Sequence, residues 1–206
     1  MMTSIFSTYD PTEERDSIYY YKGTKVLKNK ENIRDAKALA EYEADITMIR
    51  QYELETNQLV KGKFGVTHLK RIHKYIFQDI YLFAGKFRVE NIQKGSTLFC
   101  DSQFIEENLI VIFNKLGTEN YLRGLKLEEF SQRAAYYLSE LNMVHPFREG
   151  NGRCIREFIR QLALFCGYII NWALIDPERL LQDTIISVNK DIKQLTQCIF
   201  LVIENE

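Results

Sequence analysis

Residues 145–153 read HPFREGNGR, and CIREFIRQLALFCG follows directly. Gly150-Asn151-Gly152 stands just ahead of an amphipathic helix. The first N–H groups of a helix lack intrahelical partners, and the helix dipole adds partial positive charge there. Glycines before that end let a ligand come close to the backbone, so the segment reads as an anion site of the kind that holds phosphate. Asn151 adds an amide donor. Arg153 and Arg156 are three apart and share a helix face. Two guanidinium forks suit adjacent phosphates, such as the β and γ groups of a nucleotide. Glu149 would repel a triphosphate unless it holds Mg²⁺, which favours one or two carboxylates plus substrate oxygens. His145 is the side chain type that takes a proton near neutral pH, beside a phosphate from a hydroxyl that then attacks phosphorus. Pro146 fixes the backbone after it, and Phe147 anchors the loop in the core. Each residue also has a plainer reading: a structural histidine, a helix-start carboxylate, a solvated row of arginines continued by Arg160. The combination points to phosphoryl or nucleotidyl transfer, where positioning and charge do most of the catalysis. The P-loop pattern GxxxxGK[ST] is absent, and His68 and His73 read as structural.

The elements that must position these residues are mainly helices. Only 3 prolines and 10 glycines punctuate 206 residues. Asn32 is the expected cap of a helix through IRDAKALAEYEADITMIRQYE. Thr67 starts a second, with Leu69, Ile72, Ile76, Phe77 and Ile80 at helical spacing. Asp101 or Ser102 caps a third, with Ile105, Leu109, Ile112, Phe113 and Leu116 as its buried stripe and Gly117 past its end. A fourth covers 127–143. A fifth starts at the glycine-rich motif, buries Ile155, Phe158, Ile159, Leu162 and Cys166, and closes at Gly167. Asp176-Pro177 is an N-cap and first-turn proline for a sixth, and Asp191 starts a last one. In KFRVENIQKGSTLFCD the apolar positions alternate. Val89, Ile92, Leu98 and Phe99 there fit a hairpin turning at Lys94-Gly95, which must lie against the helices to be stable. The expected class is therefore all-α with one short β-hairpin, as a single domain over 1–206. Its parts are an N-terminal segment and helix (1–50), the hairpin (88–101), and the active-site loop with its helix start (145–156).

Composition narrows the function classes. Hydrophobic residues make up 46% and charged residues 27%, and net charge is −1. That is an ordinary globular balance, without a basic bias toward nucleic acid or an anionic membrane. No run reaches membrane-spanning length, and MMTSIFSTYDPTEERD lacks a secretion-signal pattern. Cys100, Cys154, Cys166 and Cys198 are scattered, with neither CxxC nor histidine partners. Reduced thiols in a cytosolic protein are expected.

HPFREGNGRCIR resembles the signature of the Fic family, HPF-x-[DE]-G-N-G-R-x-x-R, at all nine specified positions of twelve. The likeness extends to LKRIHKYIFQDIYLFAGKFR (69–88), which is similar to the segment before the family's hairpin flap. KGSTLFC (94–100) is similar to the flap itself, and YYYKGTKVLKNKENIRDAKALAEYE (19–43) to the N-terminal segment of toxin-type members. The resemblance implies a compact Fic-type helical bundle and AMP transfer from ATP to a hydroxyl of a target protein. By that analogy His145 is the base and Glu149 holds Mg²⁺. Gly150, Asn151 and Gly152 form the cradle, and Arg153 and Arg156 bind the β- and γ-phosphates. Flap residues Lys94, Gly95, Ser96, Thr97, Leu98 and Phe99 dock the target as an added strand. The intact Gly152-Arg153 favours AMP transfer over kinase chemistry. Phosphocholine transfer, another nucleotidyl transfer and non-enzymatic ATP sensing stay open, though a sensor has no need of His145. A metal hydrolase lacks ligands, with 3 histidines and no HExxH.

Family members are inhibited by a helix bearing [ST]xxxE[GN]. Glu31, Glu90, Glu107, Glu119 and Glu204 each precede Asn, but Leu27, Lys86, Gln103, Lys115 and Phe200 stand four residues before them. The expectation is a separate small antitoxin supplying the helix, with the C-terminal Glu204-Asn205 as a degenerate internal alternative. Type II topoisomerase subunits such as gyrase are the target class that the resemblance suggests.

Overall fold

The computed structural model describes residues 10–11, 17–57, 60–95, 97–188 and 191–204. Helices dominate: α1 (Ala36–Asn57), α2 (Val66–Phe77), α3 (Ile105–Thr118), α4 (Leu127–Val144), α5 (Asn151–Phe165), α6 (Pro177–Ser187) and α7 (Lys193–Leu201). Strands are short: β1 (Asp10–Pro11), β2 (Ile92–Lys94), β3 (Thr97–Leu98), β4 (Ile169–Ile170) and β5 (Ile203–Glu204). The all-α class with a hairpin is what the chain adopts. The chain divides into two compact units. One comprises residues 1–63, 67–105 and 145–151, the other 64–66, 106–144 and 152–206.

In the first unit, α2 buries the stripe read from its spacing. Leu69, Ile72, Ile76 and Phe77 are wholly buried, and Ile80 just beyond the helix joins them. Helix α1 begins later than the sequence implied. Asp35 accepts from the Ala38 N–H at 2.8 Å and serves as its N-cap. Asn32 instead occupies a left-handed turn at φ 54, with its side chain accepting from Arg34 Nε. The correction has a local cause, because Asp and Asn both suit caps and turns and only backbone placement separates the two uses. Polar bonds tie α1 to the segment of α2. Tyr81 Oη–H donates to the buried Glu43 carboxylate, Arg50 bridges Asp79 and Glu53 at 2.7 and 2.8 Å, and Tyr75 donates to Glu53.

The hairpin belongs to this unit. Gln93 pairs with Leu98 and Lys94 with Thr97 across the β2–β3 ladder, and Gly95 turns it at φ 58. A third strand was not legible in the sequence: β1 lies antiparallel on the other side of β2, Asp10 opposite Gln93 and Pro11 opposite Ile92. Val89 lies outside the strands and is exposed.

In the second unit, α7 packs against α4 and α6. Asp176 caps α6, accepting from the N–H groups of Glu178 and Arg179 at 2.6 and 3.1 Å, with Pro177 in the first turn. Asp101, still in the first unit, caps the 3₁₀ turn (Ser102–Phe104) that leads into α3. Gly117 falls inside α3 rather than past its end. The link from α3 to α4 is a left-handed turn, with positive φ at Asn120, Tyr121 and Leu122. Helix α5 buries Ile155, Phe158, Ile159, Leu162 and also Cys154. Cys166 is half-buried instead, past the helix end, where its thiol donates to the Tyr121 carbonyl. A second two-stranded sheet joins β4 to β5. All four cysteines are free, and no helix of the described residues is long and apolar enough to cross a membrane.

Candidate active site

The loop 145–150 is held from behind by α2 and the segment after it. Phe147 is wholly buried and its ring stacks on His73 at 3.8 Å, and the Phe77 ring stacks on the same imidazole at 4.7 Å. The Gly85 N–H donates to His73 Nδ1 at 2.8 Å. Nε2 therefore carries the ring proton and donates to the Glu149 carbonyl at 2.9 Å. His73 is structural, as its lone occurrence implied, but the structure it builds is the active-site loop.

Gly150 has two requirements. Its φ is 77, and a Cβ there would lie 2.0 Å from Phe77 Cζ. Packing behind the loop already demands glycine, before any ligand approaches. Asn151 also departs from the role first assigned to its side chain. Its Oδ1 accepts from the Phe147 N–H at 2.8 Å, and its Nδ2 donates to the Phe147 carbonyl at 2.7 Å. That pair closes the loop onto the first residue of α5, and Asn151 is wholly buried. Its amide is thus used within the loop, and what it offers a cradle is backbone at a helix start.

His145 has a left-handed backbone, φ 47, at a cost of roughly 1–2 kcal/mol for a residue with a Cβ. Its ring is nearly covered, 4% exposed for the residue, and stacks on Phe99 at 3.9 Å. Phe99 follows β3, so a residue first assigned to target docking packs on the His145 ring. Of the other flap residues, Leu98 is exposed and Lys94 and Thr97 form a cross-strand pair. Gly95 has open space around it, and Ser96 lies outside the described residues.

Arg88 is the residue that sequence reasoning missed. It is 1% exposed, among the largest fully buried side chains. Nε donates to the His145 carbonyl at 2.9 Å, one terminal nitrogen to the Glu90 carbonyl at 2.7 Å, and the other to the Cys100 carbonyl. Its own N–H donates to the Pro146 carbonyl at 2.9 Å. Burial pushes this guanidinium down to about 10. Beside it, Glu90 accepts from Ser17 Oγ and the Ile18 N–H, each at 2.6 Å, and Arg148 lies over the Tyr20 ring at 4.8 Å.

Helix α5 carries the arginines. Arg153 and Arg156 are both partly exposed. A Cβ at Gly152 would come within 3.2 Å of an Arg156 terminal nitrogen, so glycine lets that guanidinium lie across the first turn. Arg156 lines a small open cleft of about 30 Å³ with Leu138 and Asn142 of α4, Gly152 and Ile155 of α5, and Leu180 and Thr184 of α6. Its carbonyl accepts from Trp172 Nε1. Arg160 is placed differently from the other two, since both arms bond the buried Glu157 carboxylate at 2.8 Å.

For a metal, Glu149 is the carboxylate at hand. It is half-buried and its Oε1 accepts from the Gly150 N–H at 2.8 Å. No group of three or more His, Cys, Asp or Glu is placed to hold an ion among the described residues. One carboxylate beside a phosphate cradle fits Mg²⁺ held mainly by substrate oxygens and water, and does not fit a protein-only cage. Three glutamates of the five Glu-Asn pairs have other partners: Glu90 as above, Glu119 with Arg133 at 2.5 Å, and Glu204 with Asn171 Nδ2 at 2.9 Å. Asn205 lies outside the described residues.

The Fic/DOC family model matches residues 63–163. Over 162 residues, 79% of the chain, the sequence is 43% identical to protein adenylyltransferase VbhT of Bartonella schoenbuchensis, of whose length it spans 34%. It is 37% identical over 166 residues to the "Probable protein adenylyltransferase Fic" of Escherichia coli, with 81% of each chain covered. The solved N-terminal Fic domain of a VirB-translocated Bep effector of Bartonella quintana, with bound ADP, matches with a TM-score of 0.85 at 27% identity, over 91% of this chain and 95% of that one. BepC of Bartonella tribocorum, with bound AMPPNP, shares the fold with a TM-score of 0.85 at 24% identity, over 91% and 97%.

Proposed function

We propose, since this chain belongs to the Fic/DOC family, that it transfers AMP from ATP to a hydroxyl side chain of a target protein. The observation that carries this is the complete motif on a rigidly built loop, with relatives named protein adenylyltransferases. His145 takes the proton of the target hydroxyl. The hydroxyl oxygen bonds the α-phosphorus, the α–β bridging bond breaks, and pyrophosphate leaves. Arg153 and Arg156 hold the β- and γ-phosphates, so they neutralise the leaving group as charge collects on it. The backbone of Gly150, Asn151 and Gly152 receives phosphate oxygens at the start of α5. Glu149 would hold Mg²⁺, which supplies charge neutralisation across the phosphates. The target adds as a strand to the flap. Because β1 already lies along β2, that strand either joins the β3 side or displaces Asp10-Pro11.

The regulation we assign is inhibition by a separate small antitoxin whose helix places a glutamate on Arg156, supported by the open cleft there and by the lack of [ST]xxxE[GN] in this sequence. A type II topoisomerase subunit such as gyrase is the target class, in a bacterial cytoplasm. The test incubates the purified protein with ATP labelled at the α-phosphate, Mg²⁺ and bacterial lysate. Labelled protein that is lost with His145→Asn supports the reading. No label from the unaltered chain, or equal label from the variant, rejects it.

A further inference from the structure

We propose that Arg88 is a positioning residue that couples the β2–β3 hairpin to the backbone of His145. The inference rests on His145 being the base, and it deepens that reading by naming what aims the base.

The geometry that carries it lies within one compact unit. The Arg88 guanidinium reaches three carbonyls on three separate stretches of chain: His145 in the loop, Glu90 entering the hairpin, and Cys100 leaving it. Its backbone N–H takes a fourth, on Pro146. Two successive loop carbonyls, on either side of the Pro146 Cα that follows the left-handed His145, are thus fixed by one residue. Such backbone persists only when its surroundings over-determine it. Carbonyl partners explain why an arginine is used. The planar fork presents several donors in fixed directions, which a lysine ammonium cannot match. A buried cation is costly unless hydrogen-bonded, so ordering the two hairpin stems and ordering the loop become one event. The Phe99 ring on the His145 imidazole makes a second link along the same line. A target strand that settles the hairpin would therefore settle the base as well.

The test compares the full chain with Arg88→Gln and Arg88→Lys. With 3 histidines in the sequence, imidazole signals resolve in ¹⁵N-histidine spectra. Backbone hydrogen exchange reports on residues 92–99 and on α4. In Arg88→Gln the His145 ring signals shift or broaden while those of His68 hold. Exchange across 92–99 rises at least tenfold without a matching rise in α4. Labelling kcat falls more than tenfold, with the apparent KM for ATP changed less than twofold. Arg88→Lys, which keeps the charge without the fork, lies between. Wild-type His145 signals and hairpin exchange in the variants overturn the proposal, as does faster exchange that α4 shares equally. Should Arg88→Gln fail to fold, Arg88→Lys decides by the same two readouts. If the unaltered chain labels nothing, AMP transfer is rejected, while the spectra and exchange still decide the coupling.

Discussion

At Gly150 a methyl group would fall 2.0 Å from Phe77 Cζ, on a backbone already at φ 77. Gly150→Ala then combines left-handed strain of roughly 1–2 kcal/mol with overpacking of about 1–3 kcal/mol. Denaturant unfolding measures the sum. A double-mutant cycle with Phe77→Leu reads a cost smaller than the two single costs added, because the clash is shared. His145 calls for a different substitution. Its positive φ makes Asn the mildest replacement, since Asn visits that region more readily than other side chains. His145→Asn is expected to keep the thermal midpoint within a few degrees and to remove labelling from α-phosphate ATP. Retained labelling would end the assignment of His145 as base. Arg156 is separable from both. Arg156→Ala removes a fork from the cleft face of α5, and calorimetry is expected to show weaker ATP binding with the fold intact.

The loop 145–150 is held through its backbone groups, unlike α1, which side-chain pairs tie to the α2 segment. His73 joins α2 to the loop with one bond to the Glu149 carbonyl and one from the Gly85 N–H. His73→Phe keeps an aromatic ring between Phe77 and Phe147 but leaves both groups without that partner. The expected cost is roughly 1–3 kcal/mol per orphaned group, with labelling lost as the loop loosens. His73→Phe with unchanged stability would mean that the rings alone hold the loop. Helix caps behave more simply. Asp176→Ala removes the acceptor for two N–H groups of α6 and is expected to cost about 1 kcal/mol. In a chain of this size that lowers the thermal midpoint by about 2–4 °C. Asp35→Ala is expected to do the same at α1, where sequence spacing had pointed to Asn32.

For the molecule as a whole, the reading makes the chain active unless a partner silences it. Expressed alone in a bacterium, it is expected to arrest growth, and His145→Asn is expected to relieve the arrest. Unchanged growth with either form would remove the toxin role. Much of this was legible in the sequence. The helices were marked by apolar spacing and caps, as in α2 and α6. The phosphate-site reading came from twelve consecutive residues, because a glycine-rich turn, a helix start and two arginines one turn apart act through local geometry. Those features need no distant partner, so residue types and spacing determine them. The tertiary structure decided the rest. Arg88 reaches the His145 carbonyl across 57 residues and His73 reaches the Glu149 carbonyl across 76. The structure likewise turned Asn151 inward, placed Phe99 on His145 and laid β1 along the hairpin. Each of these bonds or contacts depends on which backbone carbonyl or ring comes near. A carbonyl is the same on every residue, so no pattern of side-chain types could have announced them.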